Sequence, residues 1–412
     1  MVLSHRLNRQ IFKTGDEKVQ QCLGNHIWYV GVDDKDIDLF EGQYIVPNGI
    51  SYNSYVIIDE KTAVMDTVDV HKTHEWLANL QGVLLGKNPD YLIISHMEPD
   101  HAGSIDLFLN RYPSATVVAN QKALQMIGNF FPCLDLTDRI LIVQEGDVLS
   151  LGKHQLTFIF APMVHWPEVM MTYETTQKIL FSADGFGKFG TLNTLEEWDC
   201  EARRYYINIV GKYGQAVQTL LKKASVLDIQ KIFPLHGPML MDNLSYYIHK
   251  YDVWSSYQPE DKGVFIAYTS IYGNTAQAAL KLKDLLLEKG ETKVVVADLA
   301  RSDMAECVED AFRYNRLVLA CPTYDGGLFP YMNQFIARLK SKNFQNRTVG
   351  FIENGSWTPM SGQLMKKEMA QLKNIRLIDD IVTIKSALKE KDLVLLSQLA
   401  DRLITAEHEV IA

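Results

Sequence analysis

Tyr91-Leu92-Ile93-Ile94-Ser95-His96-Met97-Glu98-Pro99-Asp100-His101-Ala102-Gly103-Ser104 is the stretch from which the rest of the chain can be read. Its first five residues are the apolar run of a buried strand. The next six are dense in metal-ligand side chains. In extended chain, alternate residues point the same way, so His96, Glu98 and Asp100 are expected to converge on one side. Pro99 stiffens the run, Gly103 permits a sharp turn, and Ser104 stands where the cap of a following helix belongs.

Three more candidates occupy the same kind of position. His165 follows the strand-like run Leu156–Phe160 and Ala161-Pro162-Met163-Val164; Asp184 follows Ile179-Leu180-Phe181-Ser182-Ala183; His236 follows Ile232-Phe233-Pro234-Leu235. A single histidine in such a place is more often an ordinary core or loop residue. Four of the eleven, all just past short apolar strands, are hard to explain one by one. His26, which precedes a strand, is expected nearby.

The set His96, Glu98, Asp100, His101, His165, Asp184 and His236 has too many ligands for one four-coordinate zinc. It suits two metals that share one carboxylate. Nitrogen and oxygen donors without thiolate favour iron or manganese over a soft metal, with zinc left open. Cys22, Cys133, Cys200, Cys307 and Cys321 are scattered and never form a C-x-x-C pair. A disulfide framework, a zinc ribbon and a cysteine-ligated iron–sulfur site are therefore not expected. Redox chemistry would need a bound cofactor or a metal held by other ligands.

The polar stretch Ser255-Ser256-Tyr257-Gln258-Pro259-Glu260-Asp261-Lys262 separates two styles of sequence, and we place the domain boundary there, giving residues 1–258 and 259–412. Before it, short strands bunch together, with helical stretches near Thr73–Leu84, Gln121–Phe130 and Glu196–Lys223, as in an α/β sandwich. After it, strand-like runs (Val264–Tyr268, Lys293–Ala297, Leu317–Cys321, Val349–Ile352, Ile381–Ile384) alternate with helix-like ones. Five βα units imply a right-handed, doubly wound parallel sheet, which binds ligands at the carboxyl ends of its strands.

Three loops lie at such ends. Thr269-Ser270-Ile271-Tyr272-Gly273-Asn274-Thr275 brings hydroxyls, a glycine and free amides to a helix N-terminus, a phosphate site that needs no lysine. The missing Walker lysine speaks against ATP or GTP. Pro322-Thr323-Tyr324-Asp325-Gly326-Gly327 follows the third strand, and Asn354-Gly355-Ser356-Trp357 the fourth. Each brings small residues that let a planar ring approach, and an aromatic that can stack on it. Any one loop alone would be an ordinary turn; three at successive strand ends favour a ligand.

These residues together resemble the flavodiiron proteins (A-type flavoproteins). His-x-Glu-x-Asp-His, His165, Asp184 and Pro234-Leu235-His236-Gly237-Pro238 are similar to their metallo-β-lactamase-like domain, with Glu98 where hydrolases of the wider superfamily carry a second histidine. Tyr268 to Thr275 resembles the flavodoxin fingerprint, Tyr-x-Ser-x-x-Gly-x-Thr. The resemblance implies an N-terminal αββα sandwich followed by a flavodoxin-like sheet of strand order 2-1-3-4-5, with FMN and two iron ions as cofactors. It assigns His96, Glu98 and His165 to one iron and Asp100, His101 and His236 to the other, with Asp184 as the bridge. In some members the histidine corresponding to His101 swings away from the metal. The implied activity is reduction of dioxygen to water or of nitric oxide to nitrous oxide by a head-to-tail homodimer or a dimer of dimers. The diiron centre itself is then catalytic, with no separate acid or base. Trp166, Tyr173 and His26 are candidates for tuning it. With no C-x-x-C pair in this sequence, electrons are expected from a separate protein, either rubredoxin-like or a flavin reductase.

Bulk properties agree with this class. With 412 residues and 47% apolar composition, the chain can bury more than one core. A net charge of −9 argues against a general nucleic-acid or anionic-membrane binder. No apolar run nears the roughly 20 residues of a membrane helix, and Met1–Gln20 lacks the apolar core of a secretory signal, so a cytoplasmic protein is expected. Two other readings stay open. A zinc-dependent hydrolase with a flavodoxin-like docking domain would hold two zincs and cleave a thioester or phosphodiester. An oxygen sensor would form a stable adduct and turn over slowly.

Overall fold

A computed structural model describes residues 21–407. The chain forms two compact units, one of residues up to Ala202 with Thr219–Ile248, the other of Arg203–Gln218 with His249 onward. The grouping differs from a single cut at 258, because two segments that precede the Ser255–Lys262 seam belong to the second unit.

The first unit contains two sheets. Seven strands stand in the order Gln21–Gly24, Ile27–Tyr29, Tyr55–Ile58, Thr62–Met65, Tyr91–Ile93, Thr116–Ala119, Ile140–Ile142. Five more stand in the order Val148–Ser150, Gln155–Phe160, Met170–Glu174, Ile179–Phe181, Lys231–Phe233. One apolar core joins them, with Ile57, Met65, Ile93 and Val118 from the first sheet against Phe158, Met170, Phe181 and Phe233 from the second. This is the expected two-sheet α/β sandwich. Thr62–Met65, Tyr91–Ile93, Thr116–Ala119 and Ile140–Ile142 run parallel, so their carboxyl ends share one end of the sheet. Ile179–Phe181 and Lys231–Phe233 are parallel too. Backbone bonds then stitch strand ends of the two sheets together, Met170 N to Ser95 O at 2.9 Å and Asn53 N to Leu235 O at 2.8 Å.

The second unit is a parallel sheet in the order Val294–Asp298, Asp261–Tyr268, Tyr314–Tyr324, Arg347–Asn354, Ile375–Ile384. That is 2-1-3-4-5, the expected flavodoxin-like order. Its third and fifth strands are longer than their apolar runs suggest, because the pairing continues through polar residues such as Arg316 and Arg376.

One local expectation holds with a change of form, and another fails. The stretch Glu196–Lys223 is helical from Trp198 on, as Trp198–Tyr205, a π-helical Tyr206–Val210, a 3-10 turn Gly211–Tyr213 and Gly214–Ala224. The Tyr257 hydroxyl enters the ladder there, donating to Gly211 O at 2.9 Å and accepting from Gly214 N at 3.1 Å. The run after Ile93 is not extended to Asp100, since Pro99–Ala102 closes a short helical turn. No described helix is long and apolar enough to cross a membrane.

Candidate functional site

The seven predicted ligands meet at the carboxyl ends of the first unit's strands, six of them buried and Glu98 partly exposed. Extended geometry carries only His96 and Glu98 to one face; the Pro99 turn, with proline at its first position, swings Asp100 and His101 in from the side. Gly103 lies in right-handed helical conformation (φ −62°) rather than in a special turn, and its role is close approach, for a Cβ there would stand 3.1 Å from Val70 N. Ser104 precedes the helix Ile105–Arg111 but makes no capping bond. Its hydroxyl instead donates to Val68 O at 2.9 Å.

Two trios form around Asp184. His165 Nε2 stands 3.0 Å from Glu98 Oε2 and 3.0 Å from Asp184 Oδ2, with His96 Nε2 at 3.3 and 3.4 Å from the same two oxygens. On the other side, His101 Nε2 lies 3.1 Å from Asp100 Oδ2 and 3.3 Å from Asp184 Oδ1. His236 Nε2 is 3.2 Å from Asp100 Oδ2. Asp184 thus turns one oxygen to each trio. His101, whose inward orientation the sequence leaves open, points into the site.

The donor chemistry fits cations. His236 Nδ1 donates to Ser51 O at 2.8 Å, which leaves its Nε2 lone pair facing His101 Nε2 at 3.0 Å. Both oxygens of Asp100 and Oδ1 of Asp184 are buried without a hydrogen-bond partner. Converging lone pairs and orphaned carboxylate oxygens are what two divalent ions would satisfy. Without metal, protons take that role. Burial opposes protonation of the imidazoles, but Asp100 and Asp184 raise His101 to about 10. Bonds to Asp184 and Glu98 likewise outweigh burial at His165 and raise it to about 9. Burial would raise the Asp184 carboxyl, yet His96, His101 and His165 hold it well below the carboxylate range.

Supporting residues went unseen in the sequence. Glu168 accepts from His96 Nδ1 and from Met97 N, each at 2.8 Å. Asp66 accepts from Ser95 N at 2.6 Å. Asn53 donates to Pro234 O and Gly237 O, both at 2.8 Å, and so holds the turn that carries His236. Of these, only Glu168 left a readable signal, a carboxylate three residues past His165. Trp166 packs edge-on to His96, ring centroids 5.3 Å apart. Tyr173 and His26 do not join the site. Tyr173 pairs with Thr157 and donates to Asp228 O at 2.8 Å. His26 sits exposed in the hairpin between the first two strands, its carbonyl bonded to Ile58 N at the end of the sheet away from the ligands.

A cavity of about 610 Å³ opens onto Glu98, Pro99 and Asp100, walled by Leu39, Phe40, Glu41 and Tyr52. Asp34, Asp36 and Asp69 make its mouth acidic, against Lys72 and His71.

In the second unit, the three predicted loops stand at the carboxyl ends of adjacent strands. Gly273 (φ 89°) caps the helix Asn274–Glu288, and its N–H donates to Ser270 Oγ at 3.1 Å. Ile271, Tyr272 and Trp357 are exposed, while Thr269 and Thr275 are buried. Pro322, Thr323 and Tyr324 continue the third strand, and Asp325-Gly326, both at positive φ, turn it back onto Gly327–Leu328. Thr323 Oγ1 accepts from Met360 N and Ser361 N, at 2.9 and 3.1 Å. Asn354 spends its amide on Ser386, and Ser356 Oγ meets Ser386 Oγ at 2.9 Å, so these two fix the loop; Gly355 packs against Pro359.

Comparison with known proteins follows the same division. Residues 50–237 match the ODP family beta lactamase and residues 266–391 match flavodoxin. An uncharacterized protein of Methanocaldococcus jannaschii, MJ0732, is 30% identical over 379 residues, 90% of this chain and 94% of its own length. The anaerobic nitric oxide reductase flavorubredoxin of Aliivibrio fischeri is 28% identical over 353 residues, 81% of this chain and 69% of that protein. Among solved structures, the flavodiiron protein from Giardia intestinalis superposes with TM-score 0.86 at 26% identity, covering 94% of this chain and 97% of that one. Rubredoxin oxygen:oxidoreductase from Desulfovibrio gigas gives TM-score 0.87 at 24% identity, covering 94% and 98%, a likeness of fold. A β-lactamase-type unit carrying two ligand trios, followed by a flavodoxin unit, places the chain in the flavodiiron family.

Proposed function

We propose that the chain is a flavodiiron reductase that passes electrons from a partner through FMN to a non-haem diiron site and reduces dioxygen to water, nitric oxide to nitrous oxide, or both. The coarse class is an oxidoreductase whose cofactors are FMN and iron. The observation that carries the finer reading is the division of Asp184, Oδ2 toward His165 at 3.0 Å and Oδ1 toward His101 at 3.3 Å. In this reading His96, Glu98 and His165 hold one iron, and Asp100, His101 and His236 the other. FMN is held by the 269–275, 322–327 and 354–357 loops. The metal-holding part is residues 1–258 and the flavin-binding part 259–412.

Two irons held there would supply one-electron redox chemistry and a coordination position for a small molecule. The rest falls to the chain. Glu98 and Asp100 floor the cavity, so whatever enters meets both trios at once. Its acidic mouth disfavours anions and leaves neutral diatomics unhindered. Glu168 and Ser51 O fix the tautomers of His96 and His236, so that both present Nε2. Phe40 and Tyr52, edge-on to His236 at 5.5 and 6.2 Å, keep bulk water from that ring.

The donor in this reading is a separate rubredoxin-like protein or flavin reductase, the assembly a head-to-tail homodimer or dimer of dimers, and the compartment the cytoplasm. Metal and flavin analysis, anaerobic reduction, and parallel oxygen and nitric oxide consumption with a surrogate donor test the proposal. Two irons and one FMN per chain with rapid consumption of either gas support it. Fewer than one iron per chain, or no flavin spectrum, would sink it, and two zincs with thioester cleavage would replace it with the hydrolase.

A further inference from the structure

The two trios offer their metals equal first donors. Each has two imidazoles, one carboxylate of its own and one oxygen of Asp184. Any inequality between the metals must then come from behind the ligands, and there the two sides differ. His96 turns Nδ1 to Glu168 Oε1 at 2.8 Å, with both side chains fully buried at 0% exposure. The same oxygen takes the Met97 N–H at 2.8 Å, and Oε2 has no hydrogen-bond partner. Asn120 Nδ2 donates to the Glu168 carbonyl at 2.6 Å and fixes the backbone beneath. On the opposite side, His236 Nδ1 donates to a neutral acceptor, Ser51 O. His101 Nδ1 is buried without a hydrogen-bond partner.

A carboxylate behind a ligating imidazole strengthens its donation to the metal, and donation of this kind favours the higher oxidation state. A buried charge in low dielectric acts strongly over such short distances. Among the described residues, one trio has a carboxylate hydrogen-bonded to an imidazole from behind and the other has none, the buried Asp66 acting on His101 only through space.

We propose that Glu168 is a positioning residue that makes the pair unequal, so that the metal held by His96, Glu98 and His165 gives up its electron first. This rests on the diiron reading above. One electron passes from that metal to the oxidant, dioxygen or nitric oxide in turnover and a mediator such as ferricyanide in the test. The second electron comes from the other metal, and Glu168 and His96 exchange no proton.

The test is an anaerobic redox titration of the iron- and FMN-loaded full chain, following the odd-electron signal of the half-oxidised pair by electron paramagnetic resonance. Glu168→Gln keeps the acceptor for His96 and Met97 but removes the charge. It should raise the first potential alone and shrink the ratio of the two oxidation constants about tenfold, 59 mV for one electron. Glu168→Asp, which keeps the charge on a shorter side chain, should recover part of the separation; a purely structural role would not return it with the charge. An unchanged or widened separation in Glu168→Gln that still holds two irons overturns the inference and leaves the reductase reading standing. Wild-type chain without two irons overturns both. Should Glu168→Gln lose iron, Mössbauer spectra of half-oxidised wild type decide: one ferric population supports the inference, and two equal ones overturn it.

Discussion

At the scale of single residues, Asp184 has no substitute. Among the described residues it is the one side chain whose two oxygens reach different trios. Loss of a partner that merely supports a ligand already costs about 10–100-fold in affinity or activity. Asp184→Ala should therefore cut gas consumption by at least about 100-fold and drop the iron content to one per chain or fewer, while FMN still reduces at its usual rate. Iron analysis beside stopped-flow flavin reduction checks this, and a variant that retains two irons and turnover would remove Asp184 from the bridge. The cluster itself was legible because its members follow apolar strands, where a polar residue needs a reason. Their supports were not. Apart from the nearness of Glu168 to His165 in sequence, no local pattern announces them, since Glu168 meets His96 across 72 positions and Asn53 meets Gly237 across 184.

At the scale of elements, regular strands and helices with one buried face were legible. Thr73–Leu84 and Gln121–Phe130 form over the residues their periodicity marks out. The stretch from Glu196 to Lys223 reads as helix for the same reason, yet it is interrupted by a tyrosine from beyond the stretch. Gly214 is where local and tertiary preference collide. Alanine favours helix over glycine by about 1 kcal/mol, so sequence alone predicts that Gly214→Ala stabilises. The structure predicts the reverse, because a Cβ there would stand 2.4 Å from Ser255 O and 2.8 Å from the Tyr257 ring. Overpacking of this kind costs about 1–3 kcal/mol. Urea unfolding of the variant should show a net loss of about that size, and a gain would mean that the Tyr257 insertion yields easily.

At the scale of the whole molecule, the change from bunched strands to strict alternation made two architectures legible. The segments Arg203–Gln218 and His249–Ser255 were not assignable that way, since what they join is decided by packing. The larger consequence is that stability must depend on metal and pH together. In the metal-free chain, His96, His101 and His165 hold their protons more tightly than a free imidazole, whose value is 6.5. Groups raised in this way stabilise the fold fully below about pH 6.5, and that stability is lost as pH climbs through about 9 and 10. Glu98, Asp100 and Asp184 are held low despite burial, so their contribution is present above about pH 4.5 and lost as pH falls below it. The metal-free chain should therefore be most stable between about pH 4.5 and 6.5. Metal reverses the alkaline side, because the three imidazoles must shed their protons to bind it and affinity rises with pH. Melting of the chelated and the anaerobically iron-loaded chain from pH 6 to 8.5 should show the gap in Tm widening with pH. Metal addition near neutrality should also release up to three protons per chain, one from each raised histidine. A gap that stays constant or narrows would mean that the imidazoles are already unprotonated in the metal-free site, and that the carboxylates alone set its charge.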